Sequence, residues 1–470
     1  MSKKISYLTS ALPENIWTQD PDIIAPHLVE WRDKYQGQTP LMLTPETTQQ
    51  VARAVKICHN HNIKITPQGG NTGLVGGQTP QGEVLLSLKR MTKILDVNPV
   101  ENALTVQAGA TLLSVQQAAN AADRKFPLSL ASEGTCTIGG ILSTNAGGVH
   151  VLKYGTTKEL VFGVEAVLPD GQVFNGLTSL RKDNTGYDMN RLFLGAEGTL
   201  GVITAASLKL FGKPGHIRRV MVGLDSPQAA LNLLDHCRHN GQLSMFEVIP
   251  RIGLDVVTQN IKNQRDPFDA PHPWYAILDW ETETSDAGGR LAETKLSQAL
   301  EKGLIRDAVI AQNETQAKTI LALRENMSAG QKFLGGSIKL DITVPLSDIP
   351  VFFDRADKAV EALIPGARPV GFGHFGDGNI HYNVAQPAPA GTHSNKEKDK
   401  AAFLANWDII SDAIFDIVTA LGGSISAEHG IGIMKKEALA KRASGEKLAM
   451  MKSIKNTLDS KNIMNPRVMF

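Results

Sequence analysis

The residues best equipped for chemistry stand close together late in the chain. They are Gly373-His374-Phe-Gly-Asp-Gly-Asn-Ile-His381-Tyr-Asn383, followed by Glu428-His429-Gly430. His374 and His381 flank a tight glycine turn, so a hairpin can bring the two imidazoles together. His381 and Asn383 are two apart and on a strand face the same way. Two imidazoles and the Glu428 carboxylate make a three-ligand set for Zn2+ or a similar divalent metal, with one position left open. An open position belongs to a catalytic rather than a structural ion. Taken singly, each histidine reads better as a hydrogen-bonded polar residue than as a ligand. Gly371-Phe-Gly373-His-Phe-Gly376 satisfies a dinucleotide fingerprint, but Asp377-Gly378-Asn379 and a strand follow it instead of a helix, so nicotinamide is not expected.

An anionic substrate needs cations. Arg324 lies on an apparent helix from Glu314 to Gln331, with Ser328 four residues on and on the same face. Lys339 lies in a segment that alternates: Ile338, Leu340, Ile342 and Val344 face one way, Lys339, Asp341 and Thr343 the other. By pattern alone this is an edge strand with a solvated face.

The elements that must position these groups read as follows. A helix starts near Thr44-Pro45 and buries Val51, Ala54, Val55 and Cys58. Strands are expected at 63–66, 84–88 and 103–107, a helix at 112–123, and a hairpin at 161–174 turning at Asp170-Gly171. Beyond Lys213-Pro214-Gly215 the composition changes. There a helix runs from Ser226-Pro227 to Gly241, strands fall at 245–249, 274–280 and 308–311, and a helix covers 287–302. The stretch 387–400 reads as an exposed loop, its end Asn395-Lys-Glu-Lys-Asp-Lys400 as a solvated loop or a helix start, and Cys58-His-Asn-His61 as solvated surface at a helix end.

Three glycine-rich stretches mark the first half. They are Pro67-Gln68-Gly69-Gly70-Asn71-Thr72-Gly73, continuing to Gly76-Gly77; Glu133-Gly134-Thr135 through Gly139-Gly140 to Asn145-Ala-Gly147-Gly148; and Leu194-Gly-Ala-Glu197-Gly198-Thr-Leu-Gly201-Val202-Ile203. Such turns let backbone N–H groups approach an anion. On the residues alone, a long phosphate-bearing ligand and a set of tight turns explain them equally well.

Composition bounds the rest. The chain has 470 residues, enough for two or three domains, and a net charge of +1 excludes nucleic acid as the main partner. Three cysteines without a CxxC point to a reducing, cytoplasmic setting. No apolar leader and no transmembrane run is seen, so any membrane association is peripheral.

The glycine-rich stretches, with Asp183-Asn-Thr-Gly-Tyr-Asp188 leading into Gly195–Gly201, resemble FAD-binding domains of the vanillyl-alcohol-oxidase (PCMH-type) family, from about Gln38 to the end. The resemblance implies an α+β chain: a PCMH-type FAD-binding domain (1–214), a substrate or cap domain with an antiparallel sheet (215–423), and a C-terminal segment (424–470) returning to the flavin. It implies that the 67–73 loop cradles the FAD pyrophosphate, that the later stretches line isoalloxazine and adenine, and that Asn465-Pro466 folds back toward them. His150 lies where some members tether flavin; non-covalent FAD is expected here.

The stretches 373–381 and 427–432 resemble those of FAD-linked D-2-hydroxyglutarate and D-lactate dehydrogenases. There the residues matching His374, His381 and Glu428 bind metal, that matching His429 is the base, and that matching Asn383 lies near the substrate carboxylate. Arg324 and Lys339 match carboxylate-holding residues, and Ser328 stands where threonine is usual. The D-lactate enzymes lack the lysine, which ranks D-2-hydroxyglutarate above D-lactate or glycolate. The implied reaction removes the hydroxyl proton and passes the C2 hydride to flavin N5, with electrons then going to an electron-transfer flavoprotein or a quinone. A homodimer is left open. Two readings from other classes stand beside this one: a flavin-free zinc hydrolase, which would be colourless, and a non-catalytic FAD-binding protein, which no 2-hydroxy acid would bleach.

Overall fold

The computed structural model describes residues 2–239, 242–388 and 396–470. The chain forms two compact units. The first comprises Met1–Gly147, Gly155–Lys213 and Glu428–Phe470; the second comprises Gly148–Tyr154 and Pro214–Ala427. No helix among the described residues is long and apolar enough to cross a membrane.

The strands of the first unit are, in chain order, β1 (Trp17–Thr18), β2 (Met42–Leu43), β3 (Ile65–Gln68), β4 (Val84–Ser87), β5 (Ile94–Asn98), β6 (Ala103–Gln107), β7 (Arg124–Lys125), β8 (Val161–Val167), β9 (Val173–Asn175), β10 (Val202–Lys209) and β11 (Phe211–Gly212). Among the described residues they form a sheet ordered β1-β2-β4-β3, a sheet ordered β5-β6-β10-β8-β9, and the small pair β11-β7. The helix Thr48–His61 buries Val51, Ala54, Val55 and Cys58 as its spacing demands. Its cap is Thr47 rather than Thr44: the Thr47 backbone is extended and its hydroxyl accepts from Gln50 N. Cys58 is core, whereas His61 stacks on Tyr7 with ring centroids 3.7 Å apart. The helix Ser2–Ala11 was not legible in a polar N-terminus; Ile5 and Leu8 supply its buried side.

The second unit is built on β12 (His216–Leu224), β13 (Leu243–Pro250), β14 (Trp274–Thr282), β15 (Asp307–Ile310), β16 (Ser337–Thr343), β17 (Arg368–His374) and β18 (Asn379–Ala385). Its 7-stranded sheet has the order β15-β12-β14-β13-β17-β18-β16, and its strand pairs are antiparallel. One face carries Met221, Ile249, Tyr275, Ile277, Val370 and Phe372 under the helices Arg251–Asn260 and Glu314–Glu325. The opposite face carries Ile338, Leu340, Ile380 and Tyr382; Tyr382 meets Phe352 and Phe353 of the helix Ile349–Leu363.

Three expectations change here. The helix expected over 314–331 stops at Glu325, where Asn326 takes φ −79 and ψ 0, and a separate turn, Met327–Gly330, follows. The face of β16 holding Lys339 and Asp341 is not solvated, since Asp341 is 1% exposed. Residues 396–400 begin the helix Lys396–Leu404, the helix start that 395–400 offered beside a loop; 389–395 and the expected helix end at Gly241 lie outside the described residues. The helix opened by Ser226 and Pro227 ends at Cys237.

Candidate active site

The polar groups gather at one side of the helix-covered face of the second sheet. Register brings them there: Glu247 pairs with His374, Asp341 with His381, and Lys339 with Asn383. His374 ends β17, and its Nδ1 donates to Glu247 Oε1 in a short hydrogen bond. The other oxygen of Glu247 accepts from Arg324 Nε at 2.6 Å. Arg324 Nη2 lies 3.5 Å from His374 Nε2, and the guanidinium stands 4.8 Å over the Phe372 ring. With one edge bound to Glu247, Arg324 presents its remaining donors in a fixed direction.

Glu247 had no signature in the sequence. It is one apolar-flanked glutamate in a buried strand, with its partner 127 residues away. Burial pushes its carboxyl up, but the adjacent His374 and Arg324 outweigh that and hold it at about 2. A carboxylate on Nδ1 selects the tautomer of His374 whose Nε2 carries a lone pair, the usual way in which an outer carboxylate orients a metal-binding imidazole.

His381 sits on β18, its ring centroid 5.3 Å from that of His374. Its Nδ1 is 3.6 Å from Asp341 Oδ1, an ion-pair rather than a hydrogen-bond distance. Glu428 follows Ala427, the last residue of the second unit. Donor atoms of His374, His381 and Glu428 all lie within 4.8 Å of one another. Two imidazole nitrogens and a carboxylate at that spacing suit Zn2+ or a similar divalent ion.

Asn383 is buried, and its Nδ2 donates to Gln331 Oε1 at 2.9 Å, a partner the sequence did not reveal. Ser328 stands apart: it is exposed on the turn after the helix break, and among the described residues no hydrogen bond joins it to the cluster. His429 is half-buried beside Glu428 and precedes Gly430.

In the first unit the 67–73 loop follows β3. Among the described residues, no protein acceptor takes the amides of Gly69 to Gly73. Asn71 is left-handed at φ 59, a conformation that lets successive amides line a concavity for an anion. A Cβ on Gly69 would overlap Thr137 Oγ1, and one on Gly70 the Thr135 carbonyl, so the loop lies directly against the 135–140 stretch. Thr137 Oγ1 is buried without a partner. Free amides beside an orphaned hydroxyl fit a phosphate-bearing group held by backbone.

Several other expected flavin residues spend their side chains inside the protein. Gln68 Nε2 donates to His27 O at 2.9 Å and Gln78 O at 3.1 Å. Asn145 Oδ1 accepts from Lys158 N at 2.9 Å. Asn465 Nδ2 donates to Gly77 O at 2.9 Å and Glu197 O at 2.8 Å, tying the C-terminal segment to the glycine-rich stretches. Glu133 Oε2 accepts from Gln116 Nε2 at 3.2 Å, next to the exposed Gly134 and Thr135. Val202 and Ile203 are buried in β10. These positions leave chiefly backbone to a ligand.

Comparison with known proteins gives this arrangement a family. Residues 39–176 match the model for the FAD binding domain, and residues 213–469 that for the FAD linked oxidases, C-terminal domain. The mitochondrial D-2-hydroxyglutarate dehydrogenase of Danio rerio is 35% identical over 469 residues, covering 98% of this chain and 84% of its own. A D-2-hydroxyglutarate–pyruvate transhydrogenase of Saccharomyces cerevisiae is 33% identical over 481 residues, covering 99% and 94%. Among solved structures, p-cresol methylhydroxylase with substrate bound shares the fold at a TM-score of 0.76 and 18% identity, over 99% of this chain and 96% of its own. The fold is a PCMH-type FAD-binding domain with a C-terminal domain of helices on an antiparallel sheet, and the chain belongs to the FAD-linked oxidase family, as an FAD-dependent oxidoreductase.

Proposed function

We propose that the protein oxidises a D-2-hydroxy acid to the 2-oxo acid, with D-2-hydroxyglutarate as the preferred substrate. The observation that carries the reading is the guanidinium of Arg324, locked on Glu247 and set beside a potential metal ligand, His374. A cation anchored there suits a carboxylate one carbon from the hydroxyl that reacts. The names of the relatives from Danio rerio and Saccharomyces cerevisiae point to the same substrate class.

In this reading Arg324 binds the C1 carboxylate, with Asn383, steadied by Gln331, nearby. Lys339, opposite Asn383 in register, binds the second carboxylate of a dicarboxylate. His429 takes the hydroxyl proton at an imidazole nitrogen, the one side chain type that titrates near neutral pH without perturbation. Glu247 keeps His374 in the tautomer whose Nε2 is unprotonated. His374, His381 and Glu428 would hold a divalent ion, which would supply charge stabilisation for an alcohol oxygen, and bound FAD would supply the hydride acceptor. The electrons then pass to an electron-transfer flavoprotein or a quinone.

Anaerobic bleaching of the flavin against a panel of D- and L-2-hydroxy acids tests this directly. D-2-hydroxyglutarate should bleach fastest and its L-enantiomer not at all. Flavin that stays oxidised with every D-2-hydroxy acid removes the proposal.

A further inference from the structure

Glu197 stands in a glycine-rich stretch expected to line the flavin, yet its carboxylate is committed elsewhere. The residue is 8% exposed. Its two oxygens accept from consecutive amides of the C-terminal segment, Oε1 from Ile431 N and Oε2 from Gly432 N, each at 2.7 Å. A loop can turn two adjacent amides onto one carboxylate when its backbone enters left-handed space, and Gly430 and Gly432 do so at φ 80 and φ 54. A Cβ on Gly430 would come 2.8 Å from Glu197 Oε1, and one on Gly432 would overlap the Val75 carbonyl.

The far side of Glu197 is equally fixed. Its N–H donates to Ser143 O at 2.8 Å, and its carbonyl accepts from Asn465 Nδ2 at 2.8 Å. Glu197 itself is left-handed at φ 50, a cost that a non-glycine residue bears where its surroundings impose it. One residue therefore joins the end of the helix Ile138–Thr144, the C-terminal segment and the loop that starts with Glu428 and His429.

We propose that Glu197 is a positioning residue: its carboxylate fixes the loop that carries Glu428 and His429, and so transmits order in the flavin-side stretches to the metal ligand and the base. The proposal rests on the roles given above to Glu428 and His429.

The test uses FAD-loaded E197Q, which turns an amide donor toward a backbone donor. Flavin content should match the parent. Zn2+ affinity, measured by competition with a chromophoric chelator, should weaken roughly tenfold or more. Turnover should fall in kcat by roughly tenfold or more, while KM moves less than about threefold. Hydrogen exchange at the Ile431 and Gly432 amides should accelerate sharply. A folded E197Q with parental Zn2+ affinity and parental exchange overturns the proposal. So does loss of flavin with metal affinity intact, which would make Glu197 a flavin ligand. If E197Q does not fold, the parent decides: exchange at these two amides that is slower with FAD than after its removal supports the proposal, and equal exchange overturns it. Should the parent bind no Zn2+, the role given to Glu428 falls, while the exchange comparison still decides the anchoring.

Discussion

Replacing Glu247 with glutamine strikes the centre of the polar row in the second unit. Glu247 is 0% exposed, and its carboxylate serves Arg324 Nε and His374 Nδ1 with separate oxygens. Glutamine keeps the shape, loses the charge and turns one donor toward another donor. Removing one partner of a buried ion pair leaves the other uncompensated, at about 3–5 kcal/mol. E247Q should therefore unfold at lower urea, with about 3 kcal/mol less stability at neutral pH. The folded-state pKa lies below the unfolded one, so this stabilisation is complete above about 4.5 and drains away as the pH falls toward about 2. Parent and variant should then converge in acid. Urea unfolding followed by circular dichroism across that range reads the difference, and a chelator competition should show Zn2+ affinity roughly 10–100-fold weaker. An E247Q protein with parental stability and parental metal affinity near neutrality would refute the reasoning.

Three further outcomes follow from the geometry. His429→Asn should keep its flavin and lose roughly 100-fold or more in kcat, read by stopped-flow flavin reduction; unchanged turnover ends its role as base. Lys339→Ala should raise KM for D-2-hydroxyglutarate more than for D-lactate, and equal effects on both remove the argument for a dicarboxylate. Gly70→Ala should weaken FAD binding, because the new Cβ meets the Thr135 carbonyl and pushes the loop that presents the free amides away from the 135–140 stretch; fluorescence titration of apoprotein with FAD showing parental affinity would count against a backbone cradle there.

Local patterns carried much of the fold. The 3.6-residue spacing from Val51 to Cys58 and the turn at Asp170-Gly171 are properties of neighbouring residues, and each appears where its pattern puts it. Two readings failed, one for a local reason and one for a distant partner. The helix over 314–331 has unbroken periodicity, yet Asn326 interrupts it, with its Nδ2 donating back to Ala322 O at 2.8 Å. β16 is the edge strand its alternation suggested, but its polar side is not solvated: Asn379 Nδ2 of β18 donates to Asp341 Oδ1 at 2.9 Å, which sequence cannot show. The site divides in the same way. His374 and His381 announce themselves by flanking one turn. Glu247 and Glu197 do not, since their partners lie 127 and 234 residues away.

The unseen carboxylates bear on how the second unit chooses its register. Strand β13 alternates, with Phe246 and Val248 on one face and Glu247 and Ile249 on the other, and a slip of one residue would exchange the faces. Both faces of this sheet are covered, so apolar burial discriminates only weakly between the two registers: Ile277 and Leu278 are equally buried neighbours on β14. The charged pairs do discriminate. A slip of β13 against β17 would carry Glu247 away from His374 and Arg324 and onto the buried apolar face that carries Phe246 and Val248, at several kcal/mol for an unpaired buried carboxylate. The same holds on the other side, where Asp341 meets His381 and Lys339 meets Asn383. The residues that present the candidate ligands are therefore also those that make a misregistered sheet costly, so site geometry and strand pairing must be specified together. A variant that neutralises Glu247 and Asp341 at once should lose cooperativity in unfolding as well as metal affinity, whereas either change alone should leave a single sharp transition.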